Sequence, residues 1–133
     1  MGRIDHIIKA VCLEPWAILP EKLDEITALL ELRMQGFTLS KEEVEARIGA
    51  QKTNESSVRG GGAVAVLSMR GVISHRMGML SEMSGGISTE RFSKMLRQTM
   101  ADDTVGTIVI DIDSPGGRVP GVEELSAELR EAR

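Results

Sequence analysis

Two adjacent glycines, Gly116 and Gly117, stand where an apolar run meets a patterned helix, and this junction is where the chain has the means for chemistry. Thr107-Ile108-Val109-Ile110-Asp111-Ile112-Asp113 reads as a strand, Ser114-Pro115-Gly116-Gly117 as a tight turn, and Val122-Glu123-Glu124-Leu125-Ser126-Ala127-Glu128-Leu129 as a helix. In a parallel α/β sheet such a junction lies at the carboxyl end of a strand, where ligands bind. Glycines there present backbone N–H groups with no Cβ in the way, and a nearby helix start favours negative charge. Donors of this kind hold an oxyanion, each worth roughly 2.7–4 kcal/mol of transition-state stabilisation. The same residues also spell an ordinary Pro-Gly turn, so their spacing must be tested against other chemistries.

Phosphate cradles do not fit. Gly116 and Gly121 have P-loop spacing, but Val122 and Glu123 follow where Lys and Ser/Thr are required. A dinucleotide fingerprint counted from Gly116 meets Arg118 at its third place. His75, Ser114 and either Asp111 or Asp113 could be written as a triad, yet triads are defined by geometry, which spacing does not supply. Asp111 and Asp113 alternate on a strand and share one face, which would suit a carboxylate pair. No ligand-spaced His/Cys motif accompanies them, so no metal is expected, and Asp113 is expected to cap the turn.

The elements that must position the glycines lie upstream. Ala63 to Met69 is a nearly continuous apolar run, the pattern of a strand covered on both faces. Arg70-Gly71 marks a bend before Val72-Ile73. Ser88 or Thr89 caps a helix whose buried face is Phe92, Met95, Leu96, Thr99 and Met100, closed by Ala101-Asp102-Asp103. Strand, helix and strand at this length should place both strands parallel.

Taken together, these residues resemble a known family. Ile108 to Val122 looks like the core motif of signal peptide peptidase A-like serine peptidases, family forty-nine of the serine peptidases, which have a Clp-protease-like fold and include phage head-maturation proteases. The resemblance extends through Ala63–Ile73, the Met83-Ser84-Gly85-Gly86 loop and the helix from Ser88 to Met100, covering about residues 63 to 133. It implies that Gly116 and Gly117 supply the oxyanion backbone and that Ser114, Arg118 and Val119 contact a bound peptide strand. It also implies that the nucleophilic serine and its lysine base come after Arg133, so that this chain alone would be inactive. A polypeptide substrate, a homo-oligomer and phage capsid or scaffold proteins are the partners implied, and no cofactor.

Composition narrows the alternatives. The chain has 133 residues, 41% hydrophobic and 27% charged, which is ordinary globular material for one modest domain. One Trp, two Phe and eight Met make an aliphatic, methionine-filled core and poor material for base stacking. A net charge of -4 with interspersed signs argues against nucleic acid. A single cysteine, Cys12, excludes an internal disulfide and is expected to be a packed hydrophobe. The start fails the myristoylation pattern, and the apolar stretch at 7–13 is too short for a signal core or a membrane span, so a cytoplasmic protein is expected, in the host cytoplasm or prohead if phage-encoded.

Before residue 63 the chain reads as an appendage. Leu13 to Pro20 is extended, because proline pushes its predecessor out of helical geometry, and Trp16 is its anchor. Pro20 starts a helix with Leu23, Ile26, Leu30 and Met34 on one side, stopped at Gly36. Ser40-Lys41-Glu42-Glu43 is a capping box opening a second helix with Val44 and Ile48 inward. The organisation expected is a helical segment at 1–50, a flexible linker at 51–62 and an α/β domain, a partial parallel β-α-β core, at 63–133. Three functions remain: a serine endopeptidase part, a crotonase-like acyl-thioester enzyme, which shares this architecture, and a non-catalytic assembly module.

Overall fold

The computed structural model describes residues 9, 11–38, 40, 42–43, 63–76 and 86–133. The Val44 and Ile48 stripe, the linker at 51–62 and the Met83-Ser84-Gly85 loop lie outside the described residues. The fold is mixed α/β. Its elements are β1 (Trp16–Ile18), α1 (Pro20–Met34), β2 (Ala63–Arg70), β3 (Ile73–Ser74), β4 (Ile87–Ser88), α2 (Thr89–Met100), β5 (Val105–Asp113), β6 (Gly116–Arg118) and α3 (Val122–Glu131).

β2 and β5 form a parallel pair, Leu67 opposite Ile110 and Arg70 opposite Asp113, with α2 in the connection between them. One face of this pair is built as a core: Leu67 and Met69 meet Phe92 and Leu96 of α2 and Leu125 of α3, with Ile108 and Ile110 alongside. The expectation of a strand covered on both faces is corrected here. β2 alternates strictly, and among the described residues nothing buries Val64 and Val109, each 44% exposed. That open face carries Arg70, which pairs with both Asp111 and Asp113. An apolar run therefore does not report two-sided burial when small and β-branched residues fill both faces.

The second sheet runs in the order β1-β6-β3-β4, with β1 antiparallel to β6 and the remaining pairs parallel. α1 begins at Pro20, where a missing N–H costs nothing, and buries Ile26, Leu29 and Leu30. Met34, expected inward, is exposed because it falls in the last turn, beyond the reach of Val72 and β1. Met100 is likewise half exposed at the end of α2. Ser88 caps α2 by accepting from Arg91 N at 3.1 Å, and Ser40 and Glu43 exchange the two bonds of a capping box. Cys12, expected to be packed, is exposed, since the turn that carries it contributes Val11 rather than Cys12 to the neighbouring cluster.

The amino-terminal segment docks within the molecule. Ile26 and Leu30 of α1 enclose Val72, with Val11, Trp16 and Ile18 packed around them. This small cluster, together with the β1–β6 ladder, holds the segment over the glycine pair.

Candidate functional site

β5 ends at Asp113, Ser114-Pro115 turns the chain, and Gly116–Arg118 runs as β6 between β1 and β3. The glycines expected in a tight turn thus lie in a strand. α3 starts only at Val122 with Gly121 as its N-cap, so the helix start does not adjoin Gly116 or Gly117. Why these positions are glycine follows from the packing. A Cβ on Gly117 would overlap the backbone of Ile73, and one on Gly116 would overlap the carbonyl of Ala17. Gly116 also has φ +108, a conformation that L side chains rarely adopt. The pair lets three strands approach each other at this point.

Both amides are engaged. Gly116 N donates to Ser114 Oγ at 3.1 Å, and Ser114 Oγ donates to the carbonyl of Gly71 at 2.6 Å. Gly71 N in turn donates to Asp113 O at 2.9 Å, so the bend after β2 and the turn after β5 are tied together. Leu19 N donates to Pro115 O at 2.9 Å and Val119 N to Pro15 O at 3.0 Å, with Ala17 opposite Gly117 midway. In an antiparallel ladder hydrogen-bonded pairs alternate, which makes Ala17 and Gly117 the intervening bonded pair. Gly117 N–H therefore faces β1.

Among the other expected contact residues, Ser114 is turned inward as the bridge just described. Arg118 reaches Glu14, its Nε donating to Oε2 at 2.6 Å and its Nη2 to the same oxygen. Val119 is exposed and receives β1 through its amide. Arg118 and Val119 flank an extended strand, and that strand is the chain's own residues 15–19. Trp16 seals it from one side, but its indole Nε1 is buried without an acceptor among the described residues. Leaving such a donor unpaired costs roughly 1–3 kcal/mol.

No triad forms from His75, Ser114 and an aspartate. His75 Nδ1 lies 3.3 Å from Thr89 Oγ1 and packs against Gly121, Ser114 binds Gly71, and Asp111 and Asp113 turn to Arg70. The carboxylates do share a face, as alternation requires, and both pair with the guanidinium of Arg70. The turn-capping expected of the Asp113 side chain falls to Ser114, whose hydroxyl is better placed to receive Gly116 N. Among the described residues no group of three His, Cys, Asp or Glu is placed to hold a metal ion, and no helix is long and apolar enough to cross a membrane.

A separate cleft of about 500 Å3 opens between α2 and α3, lined by His75, Ser93, Lys94, Arg97, Gly121 and Glu128 among others. Sequence reasoning missed the clamp on its wall. Arg97 Nη2 donates to Glu128 Oε1 at 2.6 Å and Ser93 Oγ donates to Glu128 Oε2. These bonds, Arg97 first, hold the Glu128 carboxyl below its ordinary value. The 35-residue separation of Ser93 and Glu128 leaves no local signal that could have revealed it.

The chain is similar to the head-tail preconnector protein GP5 of Enterobacteria phage P21, with 29% identity over 131 residues. The match takes in 89% of this chain and 26% of that protein, so the chain spans about a quarter of the length of the relative it matches. No family model and no solved structure matches. Similarity to a phage head protein is thus what sequence comparison adds to a mixed α/β fold with a strand-holding glycine edge.

Proposed function

We propose that this chain is part of a serine endopeptidase acting in phage head assembly, with a partial Clp-protease-like core and a Gly116–Arg118 edge that holds polypeptide in extended form. One observation carries the reading: β6 already holds an extended segment, Trp16–Ile18, antiparallel and flanked by Arg118 and Val119. Strand addition of this kind draws its affinity from main-chain bonds and its selectivity from alternate side chains. The parallel β2–β5 pair around α2 and the similarity to a phage preconnector protein support the same reading. In it, the Gly116–Arg118 backbone holds the substrate strand, nucleophile and base come from residues outside this stretch, and the substrate is a head protein.

A second reading, a non-catalytic head-assembly module, is favoured by the engagement of both glycine amides. The full gene product decides between them. Incubated with a serine-directed fluorophosphonate probe, a peptidase acquires label on one serine outside residues 1–133, and replacing that serine abolishes cleavage of the co-expressed head proteins. An unlabelled protein that leaves those proteins intact would be the assembly module.

A further inference from the structure

We infer that residues 14–19 are a displaceable, built-in occupant of the β6 edge, and that the polypeptide which replaces them carries an acidic residue followed by apolar residues two and four places later. This rests on the polypeptide-holding reading proposed above and adds to it the pattern recognised and the group that guards it.

Three features of the docked segment support it. First, β1 is the outermost strand of its sheet among the described residues, so its departure leaves β6 paired to β3 on one side with a free ladder edge on the other. An incoming chain can then make the same main-chain bonds, including those that Leu19 and Pro15 make to Pro115 and Val119. Second, the contacts along the segment have a period. Glu14 meets Arg118, and Trp16 and Ile18 meet the cluster around Val72, while Ala17 between them is exposed. Side chains alternate across a strand, so positions one, three and five of a replacing peptide fall on Arg118 and the apolar cluster. The Glu14 and Arg118 side chains are only 32% and 22% exposed, which makes the acidic position selective.

Third, the anchor is imperfect. Trp16 buries its indole Nε1 without an acceptor among the described residues, and release returns that donor to water. Among the described residues the segment is held by this ladder, the Glu14–Arg118 ion pair and the Ile26, Leu30 and Val72 cluster. A site occupied in this way binds an outside peptide with an affinity reduced by the fraction of molecules whose edge is open.

Trp16 is the only tryptophan in the chain and reports its own release. The probe is a synthetic peptide with the sequence of residues 13–20 carrying Trp16→Phe, labelled for anisotropy and added to the full chain. Excess peptide should shift Trp16 emission to the red. Ala17→Pro removes the amide that faces Gly117, so this variant should show red-shifted emission without peptide and bind the peptide at least tenfold more tightly. A peptide with Glu14→Lys should bind at least tenfold more weakly to either protein.

Saturable peptide binding that leaves Trp16 emission of the unmodified chain unchanged would overturn displacement, as would equal affinities of the unmodified and Ala17→Pro chains. Equal binding of the Glu14→Lys peptide would overturn the acidic position. Absence of binding to both proteins, with circular dichroism showing Ala17→Pro folded, would instead remove the polypeptide-holding edge itself and with it the reading above. The unmodified chain supplies the emission test even where Ala17→Pro does not fold.

Discussion

Replacing Gly117 by alanine tests whether the glycine pair is demanded by packing before any chemistry is considered. The added Cβ would overlap the O, N and C atoms of Ile73, all of them backbone, so no flexible side chain can yield. β3 and β6 must separate, and overpacking of this kind costs about 1–3 kcal/mol. Two strand bonds lost with it cost roughly 0.5–1.5 kcal/mol each, for a total of about 2–6 kcal/mol. With an unfolding entropy of about 2.1 cal/mol/K per residue, a chain of 133 residues has about 0.28 kcal/mol/K, and the melting temperature should fall by roughly 7–20 °C.

Gly36→Ala is the matched comparison. Gly36 has φ +86 but nothing within 4 Å of a built Cβ, so only backbone strain of about 1 kcal/mol applies and the expected fall is about 4 °C. Thermal melts followed by circular dichroism at 222 nm read both. A Gly117→Ala chain that melts with Gly36→Ala, or above it, would mean that β3 and β6 do not approach as described. The comparison bears directly on function, because loss of activity at Gly117 cannot by itself identify an oxyanion donor while the same change unseats two strands. Activity of such variants has meaning only when normalised to the folded fraction.

Two further outcomes follow from the core and the helix clamp. Phe92 is 0% exposed at the centre of the β2–α2–α3 cluster, so Phe92→Ala should cost about 3–5 kcal/mol, whereas Met100→Ala, 50% exposed, should stay within about 0.5 kcal/mol; urea unfolding at constant m-value measures both. Glu128 has its carboxyl held below the ordinary 4.5 by Arg97 and Ser93, so the charged form is favoured by folding. Its contribution is fully present above about 4.5 and disappears as pH falls through the lowered folded value. Melts from pH 7 to pH 3 should therefore show the native chain ahead of Glu128→Gln at neutral pH and the two converging in acid, and a constant gap would refute the clamp.

Local patterns determined a good deal of this protein. Pro20 and Gly36 bracket α1, the hydroxyl of Ser88 starts α2, Ser40 and Glu43 close their box, and the parallel pairing of β2 with β5 follows from a helix of that length between two apolar runs. Each depends on residues a few positions apart, or on a connection length, and such interactions are written into the order of the chain. The extended character of residues 13–20 was legible too, since two prolines dictate it.

Where that extended piece goes was decided only by tertiary structure. Pairing of Ala17 with Gly117 spans a hundred residues, and no periodicity in either segment points to the other. That one contact turns a glycine turn into a strand, commits the Gly117 amide and draws Arg118 onto Glu14. The one-sided burial of β2, the turning of Ser114 to Gly71 and the grip of Arg97 on Glu128 belong to the same class. Propensity and capping are short-range and can be read along a chain, whereas the partner of an open strand edge or a buried hydroxyl is chosen by whichever distant group the packing of the core brings within bonding distance.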